Sequence, residues 1–282
     1  MPEGDTIHHA ALVVGGLLTG HVPERIATPH PRFARERWPE RLAGRAVEAV
    51  EARGKHLLLR FEGDLVIHSH LRMTGSWRVI AHEDGWSGAT ARPDERRHGG
   101  ERRDAGRPSG APRGAWLVLG RGERDAVQLR GPVLELLTAA RVRSDPRLRE
   151  LGPDLVADTL FDEALFLRRL RADDPTRGLG DALLDQRLVA GIGNFWKSEG
   201  CFRAGVDPWR PLREVSDDEV LAVVRTLRPL MRRSAADGRQ DRFRSVYGLV
   251  GRPCPRCGRA AIESRGQGDD ARTTYWCPAC QV

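Results

Sequence analysis

Four of the five cysteines, Cys254, Cys257, Cys277 and Cys280, follow the spacing C-x2-C-x19-C-x2-C. Each C-x2-C pair can sit on one tight turn with both thiolates aimed at a single point, and two such turns make a tetrahedral four-sulfur site. The spacing predicts one structural zinc ion per chain, with a redox dithiol as the alternative, because four thiolates leave no open position for a reactive water. Gly258, Gly266 and Gly268 lie near or between the two pairs and suit a β-hairpin. The fifth cysteine, Cys201, stands alone between Gly200 and Phe202 and reads as a small buried residue.

The second chemical group is at the start, Met1-Pro2-Glu3-Gly4-Asp5. Removal of the initiator methionine leaves Pro2 with a free secondary amine. A terminal α-amine titrates near ~8, so part of it is uncharged at neutral pH, whereas a lysine near ~10.4 needs strong perturbation to match it. Such an amine can form a Schiff base with the C1′ carbon of a sugar, and Glu3 beside it can act as acid or base. The same residues also suit an ordinary helix start. Gly54-Lys55-His56, between two β-like runs, puts a lysine where it can reach a phosphate or a cleft; a surface lysine is the plainer reading. Gly191-Ile192-Gly193-Asn194 offers two glycines for close approach of backbone to a phosphate, and the N–H groups of the helix that follows suit an anion. An interhelical turn is the alternative.

These groups sit in a chain of 282 residues, 30% charged and 40% hydrophobic, long enough for about two domains. No apolar run approaches the ~18 residues of a membrane span, and the acidic start lacks the apolar core of a secretory signal. A transporter, a collagen-like chain and a disulfide-stapled secreted domain are excluded, and the expected location is the cytoplasm. The formal charge is +7, and residues 232–282 hold ten arginines against five acids. A basic block of this kind is the footprint of a nucleic-acid partner or, alternatively, a solvated face. Of the 46 basic residues only Lys55 and Lys197 are lysines.

Apolar residues at Ile7, Ala10, Ala11, Val14, Leu17 and Leu18 predict a helix over residues 5–18, with His8 and His9 exposed upon it. Short β-like runs follow at 45–51, 56–61, 65–68, 75–80, 115–119, 126–129 and 133–137, which predicts an antiparallel β-sandwich. The segment 82–114 contains seven arginines, six acids, seven glycines and three prolines but no Val, Ile, Leu, Met or Phe. It has too little apolar surface to offset chain entropy and is expected to be a flexible loop between strands. Helical patterns take over after residue 138, at 161–170, 179–184 and 194–202. Ser216-x-x-Glu219 is a capping box opening a helix whose apolar face carries Val220, Val223, Val224, Leu227, Leu230 and Met231.

Taken in order, MPEGDTIHHAA, RGKHLL, HSHLRMTGSWR, LLDQRLVAGIGNFWKSE and CPRCG…RTTYWCPAC resemble the formamidopyrimidine-DNA glycosylase/endonuclease VIII family over nearly the whole chain. The resemblance implies an α+β multidomain protein. An N-terminal antiparallel β-sandwich with flanking helices would occupy 1–137, a linker and helix–two-turn–helix domain 138–238, and a zinc-finger β-hairpin 239–282. It implies a bifunctional glycosylase and abasic-site lyase acting on damaged double-stranded DNA as a monomer. No small-molecule cofactor or membrane would be involved, and the location would be cytoplasmic, nucleoid-associated when bound to DNA. Carried over residue by residue, Pro2 corresponds to the nucleophile, Glu3 to its acid/base partner and Lys55 to the active-site lysine. Asn194 corresponds to the phosphate contact of the helix–two-turn–helix, Arg272 to the zinc-finger arginine on the phosphate flanking the lesion, and Met73 to a side chain that fills the hole left by the flipped nucleotide. Lys197 matches none of the family's catalytic positions and is kept as a candidate backbone contact.

The opening PEGDT is similar to the endonuclease VIII branch, which favours oxidised pyrimidines, while HLRMTG is closer to the formamidopyrimidine branch. The void-filling loop typical of the latter is not evident after residue 115. Without Pro2-Glu3 and Lys55 the basic C-terminus and the four cysteines would equally suit a non-catalytic zinc-ribbon nucleic-acid-binding protein.

Overall fold

The structure is a computed structural model that describes residues 2–82 and 113–282. The expected loop over 82–114 therefore lies outside the described residues except at its two ends. Contacts divide the chain into two compact units. The first holds Pro2, Ala10–Glu51 and the described part of His56–Asp145; the second holds Glu3–His9, Ala52–Lys55 and Pro146–Val282.

Helix α1 (Gly4–Leu18) buries Ile7, Ala10, Val14, Leu17 and Leu18, the face that the periodicity predicts. In the first unit it is followed by β1 (Arg25–Ala27), α2 (Trp38–Leu42), β2 (Val47–Arg53), β3 (His56–Phe61), β4 (Leu65–His70), β5 (Ser76–Ala81), β6 (Ala115–Arg121), β7 (Arg124–Leu129), β8 (Val133–Thr138) and α3 (Ala139–Ser144). The strands form two four-stranded sheets, ordered β2-β3-β4-β8 and β1-β6-β7-β5. The partner registers place Leu58 opposite His68 and His68 opposite Glu135. Leu57, Leu58 and Leu59 are fully buried, so β3 is covered on both faces. The two sheets are joined by Trp77 of β5, whose Nε1 donates to Ser69 Oγ of β4 at 3.2 Å. A polar chain leads from the interior of this unit toward its surface, from His56 Nδ1 to His68 Nε2 at 2.8 Å and from His68 Nδ1 to the part-exposed Glu135 Oε2 at 3.0 Å.

All seven expected strands are present. β1 and α2 are additions that local pattern does not announce. β1 has only three residues and exists through its pairing with β6. α2 begins after Arg37 in a left-handed conformation and is anchored by the buried Trp38, whose Nε1 donates to Glu36 Oε2 at 2.7 Å.

The second unit is helical and ends in a hairpin: α4 (Pro146–Arg149), α5 (Glu163–Arg171), α6 (Leu179–Ala182), α7 (Asn194–Ala204), α8 (Asp217–Asp237), β9 (Glu263–Gln267) and β10 (Arg272–Trp276). Phe166, Leu183, Trp196, Val224, Leu227 and Met231 belong to its core and are fully buried. Among the described residues no helix is long and apolar enough to cross a membrane. α8 starts with the expected box: Ser216 Oγ accepts the Glu219 N–H at 3.2 Å, and Glu219 Oε2 accepts the Ser216 N–H at 2.8 Å. α7 has no cap of this kind, since its N-cap residue is Gly193 and no side chain of its own closes the first turn.

Replacing Ser216 with alanine removes one half of the box and leaves the Glu219 N–H to water. The expected cost is about 1 kcal/mol, read as a lower denaturation midpoint at unchanged slope. An unchanged midpoint would mean that packing of the α8 apolar face alone fixes the start of the helix.

Candidate active site

The missing cap of α7 is supplied by Glu3. Its Oε2 accepts N–H groups of Gly193 at 2.9 Å and Trp196 at 3.2 Å, and its Oε1 accepts that of Phe195 at 2.7 Å. These are orphan donors of a helix N-terminus, where the peptide dipoles also favour a negative charge. The sequence suggested them as partners of a phosphate; in the structure the chain's own carboxylate takes them. The two glycines of the turn make the approach possible. The Gly4 N–H donates to the Gly191 carbonyl at 2.8 Å, and a Cβ on Gly4 would come within 2.6 Å of the Gly191 Cα. A Cβ on Gly193 would collide with the Glu3 side chain itself. Gly191 has φ +102°, open to glycine and strained for other residues.

Glu3 is fully buried. Desolvation pushes its carboxyl up to about 7, against the nearby Lys55 ammonium and the helix N–H groups and with the help of Asp5. Asp5, also buried, accepts the Ser234 hydroxyl at 2.6 Å and Gln240 Nε2 at 3.1 and 3.2 Å, and burial holds its carboxyl above the ordinary range. Lys55 sits in the turn between β2 and β3. Desolvation pulls its ammonium down to about 8, opposed by Glu3 and reinforced by the positive charge of Arg272. Glu3, Lys55 and Arg272 thus share one electrostatic neighbourhood although 217 positions separate Lys55 from Arg272 in the sequence. Pro2 precedes Glu3 directly and is half-buried.

The turn that carries Lys55 is fixed by Asp154, a residue the sequence reading passed over. Asp154 Oδ2 accepts the Gly54 N–H at 2.7 Å and bonds His8 Nε2 at 3.1 Å, while Oδ1 accepts the Val156 N–H at 2.9 Å. Burial works against the charge of Asp154, but these partners, His8 foremost, hold its carboxyl below the usual value. His8 and His9 are therefore not exposed as expected. His8 meets Asp154, and His9 Nδ1 lies 2.9 Å from the Ala235 carbonyl near the end of α8. The only sequence signal for Asp154 was its place after Gly152-Pro153, a turn pattern. Glu199, inside α7, gave no local signal because its partners lie 46–48 positions further along the chain. It is fully buried and accepts the N–H groups of Ser245, Val246 and Tyr247 at 2.8–3.0 Å.

Arg272 opens β10 with its side chain largely accessible, 3.4 Å from Asp270. Asn194 is buried, and its Nδ2 donates to the Thr273 carbonyl at 2.6 Å, so it ties the start of α7 to the strand that bears Arg272. The four cysteine sulfurs lie within 4.8 Å of one another, with Cys254–Cys280 and Cys257–Cys277 both at 3.8 Å. Four thiolates about 2.3 Å from a common tetrahedral centre stand ~3.8 Å apart, so the sulfurs fit a metal ion of zinc's size and preference. Cys201 is buried, as expected, and burial pushes its thiol up to about 12. In the first unit, Met73 follows β4 and is 55% exposed, outside the core.

Residues 1–103 match the formamidopyrimidine-DNA glycosylase N-terminal domain, and residues 151–244 match the H2TH domain of the same family. The chain is 42% identical to a probable endonuclease 8 2 of Streptomyces coelicolor, covering all of this chain and 94% of the relative. It is 37% identical to the DNA-(apurinic or apyrimidinic site) lyase Nei2 of Mycolicibacterium smegmatis, covering all of this chain and 99% of that protein. Its fold is similar to that of Lactococcus lactis formamidopyrimidine-DNA glycosylase, solved non-covalently bound to DNA containing an abasic site. The TM-score is 0.75 at 23% identity, with 99% of each chain covered. With two family domains matched and relatives above 30% identity over its full length, the chain belongs to the formamidopyrimidine-DNA glycosylase/endonuclease VIII family.

Proposed function

We propose that this protein is a base-excision-repair DNA glycosylase with abasic-site lyase activity, acting on damaged double-stranded DNA through the amine of Pro2. The observation that carries the reading is the burial of Glu3 on the N-terminus of α7, which holds its carboxyl near 7 directly beside Pro2 and within the field of Lys55. The division into a catalytic segment 1–137, a helix–two-turn–helix segment 138–238 and a finger 239–282 belongs to the same proposal. So do the monomeric state and a cytoplasmic, nucleoid-associated location.

In this mechanism the Pro2 nitrogen attacks C1′ of a flipped nucleotide, and the glycosidic bond breaks with its electron pair leaving on the base. The proton that the Pro2 nitrogen carries after attack passes to the departing base, and Glu3 donates a proton to the sugar ring oxygen as the ring opens, which gives an iminium between Pro2 and C1′. The iminium acidifies the C2′ proton; its loss expels the 3′ phosphate, and a second elimination expels the 5′ phosphate. Lys55 serves as the active-site lysine. Arg272 holds the phosphate flanking the lesion, Asn194 is the phosphate contact of the helix–two-turn–helix, and Met73 fills the space of the flipped nucleotide. Zinc on Cys254, Cys257, Cys277 and Cys280 holds the hairpin that bears Arg272 and takes no part in the chemistry. The PEGDT opening favours oxidised pyrimidines over oxidised purines as substrates.

Borohydride reduces an iminium to a stable amine, so reaction with abasic-site DNA plus borohydride should cross-link the chain to DNA at Pro2, located by peptide mapping. An uncleaved N-terminal tag makes the proline nitrogen an amide and should abolish trapping. Glu3→Gln should bind DNA but lose base excision by about 100-fold or more, the usual scale of a general acid. Full trapping by tagged protein, lost on Lys55→Ala, would move the nucleophile to Lys55.

The pH profile follows from the same groups. Base excision needs an unprotonated Pro2 amine, with a pKa of about 8, and a protonated Glu3, near 7. Activity should therefore rise with pH as the amine loses its proton and fall as Glu3 does. The maximum should lie between about 7 and 8. A single-turnover profile flat from pH 6 to 9 would remove Glu3 as the acid.

Elemental analysis should find about one zinc per chain. Cys277→Ser, or a strong chelator, should weaken DNA binding while leaving the β-sheet unit folded, because the hairpin has little core of its own. Full DNA affinity in a metal-free preparation is the contrary result.

A further inference from the structure

Lys197 is fully buried in α7, and the proposed chemistry does not use it. Its Nζ donates to Thr274 Oγ1 at 2.6 Å. The same hydroxyl donates onward to Gln267 Oε1 at 2.7 Å, and Gln267 Nε2 donates to the Pro208 carbonyl at 2.7 Å. Thr274 is fully buried and Gln267 nearly so. Room for this chain is built in: a Cβ at Gly178 would come within 2.9 Å of Gln267 Nε2, and one at Gly180 would collide with its Oε1.

The hairpin register shows what the chain fixes. Gln267 on β9 is the direct cross-strand partner of Arg272 on β10. Thr274 lies two residues along β10, hence on the same face of the ribbon as Arg272. On that face, Arg272 is flanked by the two side chains that the Lys197 relay holds. Asn194, about one turn before Lys197 on α7, and Ser198, the next residue after it, take the neighbouring backbone. Asn194 donates to the Thr273 carbonyl at 2.6 Å, and Ser198 Oγ accepts the Tyr275 N–H at 3.3 Å. We propose that Lys197 is a positioning residue for Arg272, holding it in register with α7 through Thr274 and Gln267 so that its guanidinium meets a DNA phosphate.

The proposal rests on the reading of Arg272 as a phosphate contact. A buried ammonium is costly unless its hydrogen bonds are satisfied, and an apolar side chain of the same length would fill the space at less expense of desolvation. What the ammonium supplies is a directed bond to one hydroxyl. Lysine suits this better than arginine, whose planar fork of five donors would need several acceptors in the same buried space. Burial pulls the Lys197 ammonium down to about 8, with the charge of Arg272 acting in the same direction, so the two cations sense one another.

The test uses full-length, zinc-loaded protein and a duplex bearing a tetrahydrofuran abasic analogue, with dissociation constants measured over a range of salt. Arg272→Ala sets the reference: it should flatten the dependence of log Kd on log salt by about one phosphate contact. Lys197→Met and Thr274→Val should each raise Kd by about tenfold, the scale of one hydrogen bond to a charged group, and flatten the slope similarly. In the Arg272→Ala background Lys197→Met should add less than about twofold, because neither change acts without the other. Thr274→Ser keeps the hydroxyl and should behave as wild type, whereas Thr274→Val keeps the shape and should not. A role in packing alone would reverse that order and overturn the proposal. So would additive effects of Lys197→Met and Arg272→Ala, or a wild-type slope in Lys197→Met. Should Lys197→Met fail to fold or to retain zinc, the Thr274 pair decides. An unchanged slope in Arg272→Ala itself would instead overturn the phosphate contact on which the proposal rests.

Discussion

The three hydrogen bonds between the Glu3 carboxylate and the start of α7 are the constraint on which the geometry of the candidate site depends. A helix start leaves donors that must find a partner when buried. Gly193 offers none, and the partner arrives from 190 positions earlier in the chain. Hydrogen bonds to a charged group contribute about 1.5–3 kcal/mol each, set against the several kcal/mol it costs to desolvate a carboxylate. The balance fixes geometry more than it adds stability. It forces the Gly4 and Gly191 backbones into contact and holds Pro2, one bond away, at the same place. α7 then carries this order outward. Its side chains at 194, 197 and 198 grip β10, and Glu199 gathers the N–H groups of residues 245–247.

This arrangement leaves charges in places that a fold selected only for stability would avoid. Glu3 and Asp5 are both buried carboxyls, two residues apart, and each is raised by desolvation. Glu3 stands in the field of a lysine that is itself pulled down to about 8. Opposed shifts of neighbouring groups toward neutral pH are a mark of proton-transfer sites. The contrast lies in the same unit. Arg177 binds Asp173, Asp181 and Asp185 at 2.8, 2.6 and 3.3 Å. Although burial opposes it, the hydrogen bonds of Arg187 and Arg177 draw the Asp185 carboxyl down to about 2. That cluster is locked in its charged state and serves structure, whereas Glu3 is poised between two states.

Much of this was legible in the sequence wherever the signal is local. The four cysteines announce their cluster by spacing, Ser216 and Glu219 their cap, and the β-like runs their strands, because each depends on neighbours within a few residues. Legibility ends where a residue's role is set by a partner far along the chain. Gly191-Ile192-Gly193 reads as an anion-binding turn, and it is one, but nothing nearby says that the anion is Glu3. Asp154 looks like an ordinary turn residue until the Gly54 N–H and His8 converge on it. His8 and His9 look like exposed helix positions until α8 and Asp154 are placed. β1 has no pattern of its own and becomes a strand only when β6 supplies the ladder.

The two lysines show the same logic at the level of residue choice. The chain uses arginine almost everywhere a cation is needed, and most of those arginines meet water or spread their donors over several acceptors, as Arg177 and Arg228 do. Lys55 and Lys197 are the exceptions, and both are drawn down to about 8 by desolvation. A guanidinium keeps its charge under such conditions and demands a broad set of acceptors, so neither position could take one without rebuilding the surrounding shell. An ammonium is compact, directs one donor at one oxygen, and can give up its proton near neutral pH. Lys197 uses the first property to reach Thr274, while Lys55, in a turn fixed by Asp154 and opposite a carboxyl near 7, has the second available. The scarcity of lysine in this chain thus marks the places where a cation had to be buried and could not be an arginine.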